Sequence, residues 1–171
     1  MNKKLKDKAR QIKLIATDID GVWTDAKMYY SKEGVFMKSF STYDGMAADL
    51  LLKNDFIIAM ITSEYENIEI LHKRAKKLNI QEVYVNEHNK LKRLQYLAKK
   101  YNLEAQNIAY IGDDINDLLA LQYAGLSASP INSPVLEFYN SDYITERKGG
   151  DGAFRDLMNL IFRANNIKLV Y

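Results

Sequence analysis

Cysteine is absent from all 171 residues, which rules out disulfides, zinc–thiolate centres and thiol nucleophiles. A cytoplasmic setting is the expectation that suits such a chain. No apolar run approaches the roughly 20 residues that a helix needs to span a bilayer, so no membrane partner is expected. The basic start, Met1 to Lys13, has no apolar core before Ile12 and reads as a solvated arm or first helix, not a signal peptide. Neither sign of charge dominates. Against 22 Asp+Glu stand 24 Lys+Arg, a net +2 that is too even for an electrostatic nucleic-acid binder. The two histidines, His72 and His88, lack ligand-like spacing, so neither is assigned a metal, and His88 is placed only as a lining residue. Internal repeats, low-complexity segments and linkers are missing too. With 47% apolar residues the chain is long enough for one core, and a single domain over residues 1–171 is expected.

What is present is an alternation. Short apolar runs at Lys13–Thr17, Phe56–Ile61, Glu82–Val85 and Asn107–Ile111 read as buried strands. Between them Leu71, Ala75 and Leu78 share one face of a helix read from Tyr65 to Leu78, and Leu91, Leu94, Ala98 and Tyr101 share a face of another. A further helix from about Asn116 is expected to end on Gly125 as a left-handed cap. Ser133-Pro134 reads as an N-cap and first helical position, and Gly152 precedes a last helix with Phe154, Leu157 and Ile161 inward. Strands and helices in this order predict an α/β fold: a Rossmann-like parallel sheet flanked by helices, with ligands beyond the carboxyl ends of its strands. One stretch breaks the rhythm. Residues 27–42 read as a β-hairpin insertion after the first strand, with apolar residues on both faces.

Each predicted strand runs into a polar cluster. The first gives Asp18-Ile-Asp20-Gly21 and the second Thr62-Ser63-Glu64; the third leads to Lys90, and the fourth to Gly112-Asp113-Asp114 and Asp117. Taken singly, each has an ordinary reading: Asp-x-Asp-Gly as a turn, Thr62 and Ser63 as caps, Lys90 as one solvated lysine. Taken together, at the ends of parallel strands, they converge on one edge. Close carboxylates repel unless a cation sits among them, and Mg²⁺ suits an all-oxygen set that keeps waters and a substrate phosphate. A calcium loop of the EF-hand kind fails, because Val22 and Trp23 stand where a polar ligand and glycine are required. With Mg²⁺ and Lys90 neutralising a phosphate, a carboxylate can attack phosphorus. Thr62 and the amides near Ser63 and Gly21 are placed to hold the phosphoryl oxygens. The second carboxyl of Asp-x-Asp is placed to protonate the leaving alcohol and then to serve as base.

This motif set resembles that of the haloacid dehalogenase-like phosphatases. The resemblance implies Asp18 as nucleophile and Asp20 as acid/base, with magnesium on the Asp18 carboxylate, the Asp20 main-chain carbonyl and Asp113. Asp114 and Asp117 would support the metal's waters and Lys90. A narrower resemblance spans nearly the whole chain, from Asp18 to Asp25, through Asp44-Gly45, Asn89-Lys90 and Ala109–Asp114, to Lys148–Arg155. It points to capless sugar-acid phosphatases acting on 3-deoxy-D-manno-octulosonate (KDO) 8-phosphate, or on sialate or KDN 9-phosphates. A homotetramer, with the hairpins packed at its centre, is the assembly this group implies. Ser63-Glu64 stands where the KDO enzymes usually carry Gly-Arg, and an acidic residue there resembles the 9-phosphate branch. Arg74 and Lys77 match basic positions that bind the sugar-acid carboxylate in this group, which the resemblance places across a subunit boundary; their ordinary reading is a solvated basic helix face. Lys148-Gly149-Gly150 matches a loop that covers substrate. The alternatives are a phosphatase for another small monoester and a silent assembly or regulatory domain of sugar-nucleotide synthesis.

Overall fold

The computed structural model describes residues 1–168, so the last three positions of the expected domain lie outside the described residues. In chain order come α1 (Lys3–Arg10), β1 (Leu14–Thr17), β2 (Tyr29–Ser31), β3 (Gly34–Met37), α2 (Thr42–Leu52), β4 (Ile57–Ile61) and α3 (Glu69–Lys77). There follow β5 (Glu82–Tyr84), α4 (Lys90–Lys100), β6 (Ile108–Ile111), α5 (Leu118–Tyr123), β7 (Leu126–Ser129), β8 (Tyr143–Ile144) and α6 (Ala153–Asn165). Six strands form one parallel sheet in the order β5-β4-β1-β6-β7-β8, and β2 and β3 pair as a separate antiparallel hairpin.

The central strands carry continuous apolar runs because both faces of the sheet are covered. Ile15, Met60 and Ile111 pack with α1, α2, α3 and α6 on one side, while Ala16, Ile61 and Tyr110 pack with α4 and α5 on the other. Register places the strand ends level. Thr17 lies opposite both Met60 and Ile111, and the Asp18 amide continues the ladder by donating to the Ile111 carbonyl at 3.0 Å. Trp23 is swallowed by the first core beside Phe154, ring centroids 4.6 Å apart, and its indole N–H donates to Thr17 Oγ1 at 3.0 Å. That anchor fixes the loop that follows Asp18. Among the described residues no helix is long and apolar enough to cross a membrane.

All four predicted strands and the last helix are present, with Phe154, Leu157 and Ile161 buried. Strands β7 and β8 extend the sheet beyond them. Two details differ. The helix after β4 starts at Glu69, not Tyr65, because the Glu64 carboxylate accepts the amides of Tyr65 and Glu66 and turns that segment back. Gly125 is not a left-handed cap: its amide donates to the Ala105 carbonyl, and an added Cβ would stand 2.4 Å from Gln106 Cα, so close approach is what requires glycine. In the hairpin, Val35 is buried but Tyr30 and Phe36 stay 64% and 58% exposed.

Asp44 on α2 is buried, and its Oδ1 accepts the Arg155 amide at 2.9 Å at the start of α6 while Oδ2 has no partner. Burial pushes its carboxyl up to about 7; the Arg155 and Gly152 amides oppose this, and Asp156 adds to it. A raised folded value means stability that is fully present below the ordinary carboxylate range and lost as pH rises through about 7. Asp44→Asn, already neutral, is therefore expected to gain on the parent between pH 5 and 8. The gain is bounded by about 1.4 kcal/mol per pH unit. Urea melts of both proteins across that range check it, and a constant difference would refute it.

Candidate active site

Asp18 begins where β1 ends, and Asp113 and Asp117 follow β6 on the neighbouring strand. One ligand-type oxygen from each of the three lies within 4.8 Å of the others, and all three residues are buried. Lys90, the first residue of α4, enters from the other side. Its ammonium lies 3.0 Å from Asp18 Oδ1 and 2.6 Å from Asp117 Oδ1.

The three carboxylates are not equivalent. Asp117 is fully enclosed and both its oxygens are spent: Oδ1 accepts Lys90 and the Tyr110 hydroxyl at 2.5 Å, and Oδ2 accepts the amides of Asp113 and Asp114 at 2.9 and 3.2 Å. It ties the Gly112–Asp114 loop to the lysine. Asp18 and Asp113 keep lone pairs to offer. Three buried carboxylates around one ammonium leave an excess of negative charge. Burial first, then Asp117, pushes the Asp18 carboxyl well above the carboxylate range, against the pull of Lys90. The same two causes raise Asp113 to about 7. Burial works against the charge on Lys90, but Asp18 and Asp117 outweigh it and raise the ammonium above its ordinary value. Burial and Asp117 together keep Tyr110 a neutral donor. A hard divalent cation between Asp18 and Asp113 relieves this charge, so the donor set fits magnesium.

Glycine is required beneath them. Gly21 has φ +89°, and an added Cβ would stand 1.9 Å from Asp113 Oδ2. A Cβ on Gly149 would stand 1.8 Å from the Gly21 carbonyl oxygen, so the Asp113 carboxylate and two main-chain segments stack without room for a further side chain. The Gly150 amide donates to Val22 O at 2.9 Å and closes that stack.

Asp20 turns outward into a cavity of about 680 Å³ whose walls include Asp18, Thr62, Ser63, Glu64 and Asp113. Asp114 and His88 also line it, as do Met28 and Tyr65 at its mouth. Asp20 Oδ1 accepts the Thr24 hydroxyl at 3.1 Å and Oδ2 accepts Lys38 at 2.6 Å. Sequence reasoning missed Lys38. The one signal was a lone cation between Val35-Phe36-Met37 and Phe40, which reads as a hairpin exit. Buried Thr62 accepts the Glu64 amide on Oγ1 at 3.1 Å, while its own carbonyl accepts Glu87 N–H. The loops after β4 and β5 are thereby joined.

Some predicted substrate contacts lie elsewhere in this chain. Arg74 donates to the Ser41 carbonyl at 3.0 Å and sits 5.5 Å from the centre of the Phe40 ring, at the start of α2. Lys77 and Lys148 are exposed and do not line the cavity, and Gly149 and Gly150 buttress the loop of Gly21 from behind.

A family model described as haloacid dehalogenase-like hydrolase matches residues 5–155. The 3-deoxy-D-manno-octulosonate 8-phosphate phosphatase KdsC of Escherichia coli (strain K12) is 32% identical over 157 residues, which cover 92% of this chain and 82% of that protein. Among solved structures, the 3-deoxy-D-manno-octulosonate 8-phosphate phosphatase of Moraxella catarrhalis, in complex with magnesium ion, phosphate ion and KDO, superposes with a TM-score of 0.91. It is 37% identical, and the match covers 97% of this chain and 94% of that one. The cobalt-bound deoxy-D-mannose-octulosonate 8-phosphate phosphatase of Haemophilus influenzae gives 0.87 at 31% identity, over 93% and 92% of the two chains.

Proposed function

This chain belongs to the haloacid dehalogenase-like hydrolases, in the 3-deoxy-D-manno-octulosonate 8-phosphate phosphatase group, and we propose that it hydrolyses a 2-keto-3-deoxy sugar-acid phosphate through an aspartyl-phosphate on Asp18. The observation that carries this reading is the Asp18 carboxylate at the strand end, open to the cavity, with Lys90 at 3.0 Å and Asp20 on the same loop.

In the first step an Asp18 oxygen attacks phosphorus and the bond to the sugar oxygen breaks. Asp20 gives its proton to that oxygen. In the second step water attacks the phosphorus, Asp20 takes the water's proton, and the bond to Asp18 breaks to release phosphate. Lys90 neutralises Asp18 and the incoming phosphoryl oxygens, and the Thr62 hydroxyl and Ser63 amide hold those oxygens in place. Magnesium, held by the Asp18 and Asp113 carboxylates and the Asp20 main-chain carbonyl, supplies positive charge against the phosphoryl group when bound.

KDO 8-phosphate is the first substrate on this reading, because relatives at this level of identity carry that name. Glu64 on the cavity wall favours a second, a sialate or KDN 9-phosphate, through the acidic position it shares with that branch. The exposed apolar hairpin serves as the centre of a homotetramer, and neighbouring subunits bring Arg74, Lys77 and the Lys148 loop over the cavity. Phosphate release from KDO 8-phosphate, KDN 9-phosphate and N-acetylneuraminate 9-phosphate, with Mg²⁺ and with chelator, tests the activity. The expected result is rapid release from one of them that chelator abolishes. Failure on all three, with p-nitrophenyl phosphate still cleaved, moves the substrate to another small monoester. Light scattering that reports a monomer at micromolar concentration refutes the assembly.

A further inference from the structure

Each carboxylate of the Asp18/Asp20 pair has its own buried lysine, and only one of the two is explained by neutralising phosphate. Lys90 lies under Asp18. Lys38 comes from outside the sheet, just past β3, where the hairpin rejoins the body. Its side chain is 6% exposed, and its ammonium lies 2.6 Å from Asp20 Oδ2 and 3.6 Å from Glu64 Oε2. Ile19, Ile70 and Leu71 border the same small recess as Lys38. An ammonium so enclosed must stay paired, since a buried charge without a partner is costly. Asp20 is then gripped at both oxygens, by Thr24 on Oδ1 and by Lys38 on Oδ2. A carboxyl group held twice cannot swing about its side-chain bonds, and proton transfer depends on that aim. Misplacement of a catalytic group by about 1 Å costs on the order of 10²-fold in rate.

We propose that Lys38 is a positioning residue, which aims the Asp20 carboxyl in both half-reactions and links it to Glu64 on the recognition loop. The proposal rests on the phosphatase reading above and adds to it a division of labour between two lysines. The ammonium suits this task because it bonds Asp20 at 2.6 Å while standing within ion-pair range of Glu64. Lys38 does not line the main cavity, so a direct grip on substrate is not its role.

Pre-steady-state kinetics with p-nitrophenyl phosphate and Mg²⁺ tests it. p-Nitrophenolate leaves with its electron pair and needs no proton, so attack by Asp18 proceeds without Asp20. Hydrolysis of the aspartyl-phosphate still needs Asp20 to take the proton of water. Lys38→Met is therefore expected to release about one p-nitrophenolate per enzyme in a burst, then to turn over about 10²-fold more slowly than the parent. Acid quench should trap the phosphoenzyme, visible by intact-protein mass. Lys38→Arg, which keeps the charge, is expected to recover at least about a tenth of the parent rate. Equal loss in both phases without a burst, or no loss at all, overturns the proposal while leaving the parent's activity standing. A parent that cleaves no phosphate monoester sinks both readings. If the methionine variant does not fold, Lys38→Gln is read in the same way, and failure of both uncharged variants to fold while Lys38→Arg shows parent kinetics would assign the residue to stability alone and overturn positioning.

Discussion

Asp18→Asn is expected to abolish phosphate release, by at least about 10⁴-fold, while leaving the metal-free protein as stable as its parent or more so. On the proposed mechanism the loss of rate follows from the missing nucleophile, since an amide oxygen cannot form the aspartyl-phosphate. The stability result follows from charge. Burial and Asp117 hold the folded Asp18 carboxyl well above its ordinary range, against Lys90. Its contribution is fully present below that range and is lost as pH rises through the raised value. At pH 8 without metal the parent carries this cost and the neutral variant does not. Lys90 keeps Asp117 at 2.6 Å, so no ammonium is stranded. Turnover in saturating Mg²⁺, and thermal melts in chelator at pH 8, measure the two halves. A melting temperature well below the parent would show that Asp18 supports the fold through contacts other than charge.

Asp117→Asn should have the largest effect on stability, about 3–5 kcal/mol, although it changes one atom. All the partners of Asp117 are donors: the Lys90 ammonium, the Tyr110 hydroxyl and two amides. Whichever way an asparagine lies, its NH₂ faces donors on one side, and either the lysine or the Asp113 loop loses its acceptor. The Lys90 charge is then buried with Asp18 as its remaining partner. Urea denaturation gives the cost directly. A drop below about 1 kcal/mol would mean that the loop relaxes around the amide, and that Asp117 does not hold the site together.

Much of this arrangement was legible in the sequence, for a reason the register makes plain. Parallel strands with continuous apolar runs end level, so whatever polar residues follow them meet. Asp18, Thr62, Lys90, Asp113 and Asp117 met in that way. Strand β7 escaped notice because Leu-Ser-Ala-Ser has no apolar run. Its serines are buried yet satisfied, Ser127 by Asp142 and Ser129 by Ser141 at 2.8 Å. Lys38 escaped because its partner lies 18 residues away, across a hairpin whose pairing says nothing of where its exit points. The helix boundary at Glu69 depended on Glu64 bonding its own neighbours, which competes with helix formation only when a tertiary contact keeps the side chain there. Arg74 shows what the sequence could not convey. A basic residue at a matching position donates to the Ser41 carbonyl of its own chain.

The stack of Asp113, Gly21 and Gly149 divides the cavity into two kinds of ground. Its floor sets the Asp113 carboxylate on Gly21 and Gly21 on Gly149, with no Cβ on either glycine to vary. Its mouth is made of exposed side chains such as Met28, Tyr65 and His88. New substrate preferences can therefore be written at the rim one residue at a time, while the chemistry below is inherited unaltered.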